Sequence, residues 1–237
     1  MIPVLIVPIL NRPELLDALL ASIDHPIERI VVIDNGNVVG NLPGVHVIHL
    51  PHNLGVSAGW NLGMKVTPDA PWWLISNHDI EFGSGDLAHL AEVVDPNVPD
   101  INYMLGMAAF AITQETLADV GYFDENFHPA YDEDLDYARR AQLVGVKEVQ
   151  AGFTGKHVGS ATIYADLDYR AQNGKTHPAN DRYYEAKWGG NKQGGETFKT
   201  PFNMNVDIGF WQLDPLRLMR QAWITKSHRM FHEEMVE

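Results

Sequence analysis

A short polar stretch, Asn77-His78-Asp79, follows directly after a run of apolar residues at positions 72–75. The apolar run has the length of a buried strand, and residues i and i+2 of an extended segment point the same way. Asn77 and Asp79 would therefore face one side together. A carboxylate at the C-terminal end of a buried strand lies where α/β sheets bind their ligands. The pattern predicts one part of a binding site, although such a stretch taken alone is a loop in most proteins.

A second group of acids, Asp132-Glu133-Asp134-Leu135-Asp136, opens a stretch of helical character that ends at Gly145. Carboxylates in the first turn of a helix are favoured by the helix dipole, so a solvated helix start is the simpler interpretation. His157 and the turn Asp34-Asn35-Gly36-Asn37 are further candidates, and each also has a structural interpretation. The order of these groups along the chain is more informative than any one of them.

Two common kinds of site lack their signatures. The eleven histidines show no H-E-x-x-H spacing, which argues against a zinc hydrolase. Gly55, Gly59 and Gly63 follow the third predicted strand without a G-x-G start, so they are not a dinucleotide fingerprint. The chain also has no cysteine, which excludes disulfides, thiolate metal sites and a cysteine nucleophile.

Net charge limits the partners. The 237-residue chain carries 17 basic and 31 acidic residues, a formal net charge of −14. Nucleic acid or an anionic membrane surface would require a basic face, so neither is expected as the main partner. An anionic small molecule can still bind if a metal ion, a helix N-terminus or a few Arg and Lys side chains supply local positive charge.

The first residues, Met1 to Pro8, are apolar but have no basic residue ahead of them, so a first core strand is expected rather than a signal peptide. No apolar stretch approaches the ~18 residues that span a bilayer. The sequence predicts a cytoplasmic protein. The last 25 or so residues, 213–236, are predicted to form an amphipathic helix, which would serve as a dimer contact or as a peripheral membrane anchor.

Alternating strands and helices must position these groups. Strands are predicted at 4–8, 29–33, 45–50 and 72–82, with helices from Asn11 to Ile23, after Gly55, and over 87–94. This alternation predicts an α/β fold with right-handed crossovers and a mostly parallel sheet. A strand at 103–112, a helix capped by Thr113, the acidic helix and a strand at 146–149 follow. After residue 162 the composition becomes polar and aromatic, which predicts a domain at 1–162 and an extension at 163–237 that packs on the same domain.

Four blocks in this order resemble the family-2-type glycosyltransferases with the GT-A fold, a mostly parallel, Rossmann-like sheet flanked by helices. The resemblance covers residues 3–162. Its blocks are Val7-Pro8-Ile9-Leu10-Asn11-Arg12-Pro13; Val32-Ile33-Asp34-Asn35-Gly36; Asn53-Leu54-Gly55 through Asn61-Leu62-Gly63 with Asn77-His78-Asp79; and Gly121-Tyr122-Phe123-Asp124-Glu125 with Glu133-Asp134 and Arg139/Arg140. His157, Ser160 and Thr162 are similar to the family's downstream histidine block.

The resemblance implies a metal-dependent transfer of a sugar from a nucleotide-diphosphate donor to an acceptor hydroxyl, with inversion. Asp79 matches the metal carboxylate of the family's DXD-like motif, and His157 is the expected second protein ligand of Mn²⁺ or Mg²⁺. Asn77 stands where the family has the first acid of that motif, so the affinity for metal is expected to depend on the donor's phosphates. Asp134 matches the general base, which accepts the proton of the acceptor hydroxyl.

The resemblance also implies which residues contact the donor and the acceptor. A UDP-, GDP- or dTDP-linked donor is expected to contact Pro8, Asn11, Arg12, Asp34 or Asn35, Ser57, Asn61, Asn77 and Asp79. A glycan, lipid-linked or protein acceptor is expected to contact Glu133 and the side chains of Tyr183, Tyr184, Lys187 and Trp188, for which packing of the extension is an equal alternative. The loop at 189–195 is expected to close over the phosphates.

Two other classes remain open from the sequence. A non-catalytic nucleotide-sugar or glycan-binding module on the same fold is motivated by Asn77. A nucleotidyltransferase is disfavoured because 9–12 is not a basic, glycine-rich loop.

Overall fold

The structure is a computed structural model that describes residues 1–192 and 194–204. Its strands are β1 (Ile2–Ile9), β2 (Ile27–Asp34), β3 (His46–His49), β4 (Trp72–Ser76), β5 (Ile80–Glu81), β6 (Asp100–Leu105), β7 (Ala109–Thr113), β8 (Lys147–Gln150) and β9 (Lys156–His157). Its helices are α1 (Pro13–Ala21), α2 (Val56–Lys65), α3 (Asp86–Val93), α4 (Gln114–Val120), α5 (Glu133–Val144), α6 (Ala161–Ala165) and α7 (Leu167–Trp188), followed by a 3₁₀ turn at Pro201–Asn203.

Seven strands form the central sheet in the order β3-β2-β1-β4-β7-β6-β8. The ladders β3–β2, β2–β1, β1–β4 and β6–β8 are parallel, and β7 is antiparallel to both of its neighbours. The mostly parallel α/β sheet is therefore confirmed. The strand predicted at 103–112 is wrong in one respect: it is a hairpin of β6 and β7, whose turn passes through Gly106 at φ 51.

Hydrophobic side chains fill both faces of the sheet, as continuously apolar parallel strands require. In β1, Leu5, Val7 and Ile9 join the core under α1 and α3, whereas Val4 and Ile6 join the core under α2 and α5. Strand alternation sends successive side chains to opposite faces, so one strand supplies both cores. Because β1, β2 and β4 run parallel, their carboxyl ends lie at the same edge of the sheet.

A third and smaller core joins the extension to the rest of the molecule. It consists of Phe127 with Tyr183, Tyr184 and Trp188 of α7, all of them at most 7% exposed. By sequence this part of the chain is polar and aromatic. It is a 22-residue helix with Pro178 inside it, and it packs through its C-terminal end.

The amphipathic helix predicted at 213–236, with its dimer and membrane-anchor interpretations, lies outside the described residues. In the part of the chain that the structure describes, none of the helices combines the length and the apolar character needed to cross a membrane.

Candidate active site

A cavity of about 310 Å³ opens at the carboxyl ends of β1 and β4, a volume within the range of small-molecule sites. Loops from both halves of the chain form its walls. Seven residues singled out from the sequence line it together: Pro8, Asn35, Asn77, Asp79, Glu133, Asp134 and His157.

The two-stranded sheet of β5 and β9 brings His157 to Asp79. In this short antiparallel ladder Ile80 pairs with His157, and the amide of Val158 donates to the backbone carbonyl of Asp79 at 3.1 Å. As a result His157 Nε2 lies 3.3 Å from Asp79 Oδ1. A carboxylate from the end of the fourth strand thus meets an imidazole from 78 positions later in the chain.

The donor set of Asp79 and His157 fits a divalent cation such as Mn²⁺, which accepts carboxylate oxygen and imidazole nitrogen together. Adjacent ligands of an octahedral ion at about 2.1 Å lie about 3 Å apart, close to the 3.3 Å between these two atoms. Asp79 is 7% exposed and the side chain of His157 is 29% exposed, so the carboxylate is buried in the wall and the imidazole is partly open to solvent. Asn77, in the same wall, offers an amide oxygen.

A second cluster of titratable groups includes Asp132, two residues before Asp134. Asp132, His177 and Asp181 place ligand atoms within 4.8 Å of one another. The ammonium of Lys192 contacts both carboxylates, at 2.6 Å from Asp132 Oδ1 and 2.7 Å from Asp181 Oδ1. The positive charge at this cluster is therefore supplied by the protein itself, from the loop predicted to close over the phosphates.

Glu133 and Asp134 occupy the first turn of α5, where the helix dipole favours negative charge. Glu133 is 6% exposed, and its Oε2 atom is buried without a hydrogen-bond partner in the described residues. Burial away from water, reinforced by the Asp134 carboxylate, raises the pKa of Glu133 from its usual 4.5 to about 8. Glu133 is therefore mostly protonated at neutral pH. Asp134 is half-buried, and its Oδ1 accepts the amide of Leu135 at 2.8 Å.

In the turn after β2, one of two neighbouring residues is buried and the other lines the cavity. Asp34 is fully buried, and its carboxylate accepts the amides of Gly36, Val38 and Val39 and contacts His49 Nδ1 at 2.9 Å. Asp34 therefore does not line the cavity, and its oxygens shape the turn. Asn35 lies beside it in the cavity wall, and its Oδ1 accepts the amide of Leu54 at 2.9 Å.

Asn61 and Ser57, expected to contact the donor, lie inside the protein. The Asn61 amide exchanges two hydrogen bonds of 2.9 Å with the backbone of Phe123 and donates another to Glu125 at 2.8 Å. Asn61 thus joins α2 to the segment at 123–125 and does not line the cavity. Ser57 is 1% exposed and does not line the cavity.

Close packing explains why glycine stands before α2 at position 55 and within α2 at position 63. Gly55 adopts φ +88, and a Cβ there would lie 2.9 Å from the carbonyl oxygen of Pro129. This close approach allows the amide of Val56 to donate to the same oxygen at 2.9 Å. A Cβ on Gly63 would lie 2.4 Å from the side chain of Ile6, so α2 packs directly against β1.

Asn11 and Arg12 lie at the end of β1 but do not line the cavity. Asn11 Nδ2 donates to the carbonyl of Thr162 at 3.0 Å and so holds the first turn of α6. Arg12 pairs with the nearby Glu14 on the surface.

The side chains expected to bind the acceptor are core groups instead. Lys187 is 2% exposed, and its Nζ contacts Asp124 Oδ2 at 2.7 Å and Asp136 Oδ1 at 2.6 Å. Trp188 donates from Nε1 to Asp136 Oδ1 at 2.9 Å, and Tyr184 donates to Glu196 at 2.8 Å. None of these three side chains lines the cavity. They contact Phe127, Asp124, Asp136 and Glu196 instead.

Other cavity residues were missed or discounted by the sequence analysis: Trp60, His78, Tyr131 and Tyr169. His78 is 5% exposed, and burial lowers its pKa, so its ring is neutral at neutral pH. Tyr169 of α7 is hydrogen-bonded to the side chain of Asn53, and burial raises its pKa to about 12. Only the aromatic composition of the extension hinted at Tyr169, and no local pattern marks it.

Comparison with known proteins adds a family to this geometry. The sequence profile of "Glycosyl transferase family 2" matches residues 4–133, more than half of the chain. A curated relative, a "Galactofuranosyl glycosyltransferase" from Leishmania donovani, is 33% identical over 139 residues. That match covers 49% of this chain and 32% of the relative, so the chain spans about a third of the relative's length.

Solved structures share the fold at low sequence identity. A mannosyltransferase from Pyrobaculum calidifontis, in complex with GDP-Man and Mn²⁺, has a TM-score of 0.53 at 17% identity, covering 74% of this chain and 62% of that one. TarS from S. aureus has a TM-score of 0.50 at 16% identity, covering 73% of this chain and 39% of that one. Both similarities support the fold alone.

Proposed function

The chain belongs to glycosyl transferase family 2, and from that premise we propose that it is an inverting glycosyltransferase that uses a divalent cation and a nucleotide-diphosphate sugar. The observation that carries the proposal is the meeting of Asp79, His157 and Asp134 in one cavity. The reaction needs positive charge for the leaving diphosphate and a base for the acceptor hydroxyl. Asp79 and His157 would hold a cation that supplies the charge, and Asp134 would be the base.

Asp79 and His157 would hold the cation, with Asn77 as an oxygen donor beside them. When bound, Mn²⁺ or Mg²⁺ there supplies positive charge that stabilises the leaving diphosphate. A fold neighbour was solved with GDP-Man and Mn²⁺, which is consistent with this cavity as a nucleotide-sugar site. The proposal extends to UDP- and dTDP-linked donors, since the Asn35 amide can donate to a carbonyl of any of these bases.

Asp134 acts as the general base. The acceptor oxygen attacks the anomeric carbon, its proton passes to the Asp134 carboxylate, and the bond from that carbon to the diphosphate oxygen breaks. Glu133, protonated beside it, can donate a hydrogen bond to a sugar or acceptor oxygen without repelling the diphosphate.

The test begins with binding. Thermal shifts with UDP, GDP, dTDP and CMP, with and without Mn²⁺, identify the base, and release of that nucleotide from the matching sugar donor then measures turnover. Replacing Asp134 by Asn should reduce release by about 10³-fold while leaving Mn²⁺-dependent nucleotide binding within twofold. Unchanged release in Asp134→Asn contradicts the role of Asp134. Nucleotide binding without any release by the unaltered protein would favour a non-catalytic binding module.

A further inference from the structure

The loop that leads into Glu133 and Asp134 has a backbone that requires support from elsewhere. Tyr131 and Asp132 adopt left-handed conformations at φ 80 and φ 72. Residues with a Cβ persist there only when surrounding contacts hold them. The contacts that hold this loop come from the extension, chiefly from α7 and the segment that follows it.

Asn180 of α7 is hydrogen-bonded to the backbone of the loop. The side chain is 4% exposed, and its Nδ2 donates to the carbonyls of Ala130 and Tyr131, both at 3.0 Å. One turn earlier, the ring of His177 stacks on Tyr131 with centroids 4.7 Å apart and an interplanar angle of 29°. Tyr131 in turn lines the cavity, so α7 shapes the wall next to Asp134.

Lys192 forms an ion pair with Asp132, the next residue of the loop. Its ammonium lies 2.6 Å from Asp132 and 2.7 Å from Asp181, so it joins the loop to α7. Asp132 is 2% exposed, and an uncompensated carboxylate so deeply buried would be unfavourable. Lys192 thus both neutralises Asp132 and ties it to the helix.

We propose that Asn180 and Lys192 are positioning residues for catalysis, which hold the loop at 130–132 so that Asp134 faces the acceptor. The inference rests on the proposed function of Asp134 as the base. Neither residue touches the cavity, so each acts through the loop. The cation-binding end at Asp79 and His157 belongs to other elements and should not depend on them.

Two variants of the full chain test this, Asn180→Ala and Lys192→Met. Turnover measured as nucleotide release should fall by about 100-fold, since a displacement of about 1 Å at a catalytic group costs that much. The Kd for nucleotide with Mn²⁺ and the KM for the donor should stay within about twofold, because positioning of the base affects the chemical step. Lys192→Arg should recover most of the turnover, since it restores the charge.

Lys175→Met is the control for Lys192→Met, because Lys175 is an exposed lysine of α7, and it should behave as the unaltered protein. Hydrogen exchange supplies a readout independent of activity: amides of 127–137 should exchange faster in both variants, and those of 1–50 should not. Unchanged exchange at 127–137 overturns the positioning role, even if the protein proves inactive. Faster exchange with unchanged turnover overturns its catalytic part. Equal losses of turnover and nucleotide affinity also overturn it, because they show that the two residues do not act on the base selectively.

Discussion

Glu133 is a carboxyl group that the fold keeps away from water beside another carboxylate. Its pKa in the folded protein is about 8, whereas in an unfolded chain it would be near 4.5. The folded state therefore holds this proton more tightly. The stability associated with the protonated form is fully present below pH 4.5 and is lost as the pH rises from 4.5 through about 8.

Replacing Glu133 by Gln removes the titration but keeps the shape of the side chain. The variant should gain stability relative to the unaltered protein as the pH rises from 5 to 9, by on the order of a few kcal/mol at the upper end. Urea unfolding at several pH values measures the difference. Glu92→Gln, at an exposed position of α3, is the control and should show no such trend. A pH-independent difference for Glu133→Gln would contradict a raised pKa.

At the scale of elements, the attachment of α7 to α5 depends on a buried ammonium. Lys187 lies between the carboxylates of Asp124 and Asp136, and Tyr183 donates to the same Asp124 oxygen at 2.8 Å. Arg140 also contacts Asp136, from one turn further along α5. The cluster satisfies each of its charges internally, which is what allows it to be buried.

Lys187→Met should be strongly destabilising, because it leaves two buried carboxylates with less positive charge than they need. A loss of about 3 kcal/mol in the free energy of unfolding is expected. Denaturant unfolding measures it, with Lys175→Met as the exposed control. A loss below about 1 kcal/mol, the range of surface ion pairs, would show that the cluster is less important than its burial indicates.

The elements themselves follow from local patterns in most of the chain. Apolar runs mark β1, β2 and β4, and Asn11-Arg12-Pro13 marks the start of α1, because these signals arise within a few residues. Thr113 caps α4 by accepting the amide of Thr116, as predicted. The hairpin of β6 and β7 was missed because small residues around Gly106 do not interrupt the apolar run strongly. Helix α7 was missed because its buried residues cluster at one end instead of forming a stripe.

At the scale of the whole molecule, the division at residue 162 crosses a shared core. Phe127 lies before the division, and its aromatic partners Tyr183, Tyr184 and Trp188 lie after it. Asp124 and Asp136 likewise lose Lys187 if the extension is removed. The cavity would also lose Ile163 and Tyr169 from its wall.

A chain that ends at residue 162 should therefore fail to fold cooperatively. It would expose Phe127 and leave buried acids unpaired, losses that together amount to several kcal/mol of a typical total of 5–15. Thermal unfolding followed by circular dichroism distinguishes it from a chain that ends at 204, which retains the described contacts of α7 and should melt cooperatively. A cooperative transition at the same temperature in the shorter chain would show that residues 1–162 are an independent domain.

The sequence by itself determined the α/β class, the family and the two acidic groups around which the site is built. Those properties depend on apolar periodicity and on residues close together in the chain, such as Asn77 and Asp79. The site roles of Asp79, His157 and Asp134 stay predictions that the geometry supports.

Only the tertiary structure decided which polar groups remain available to a ligand. The pairing of β5 with β9 brought His157 to Asp79, and burial turned Asp34, Asn61 and Lys187 from candidate ligand contacts into internal ones. The reason is physical: a polar side chain in the interior must be paired with whatever lies next to it. That partner is set by long-range packing, which no local pattern records.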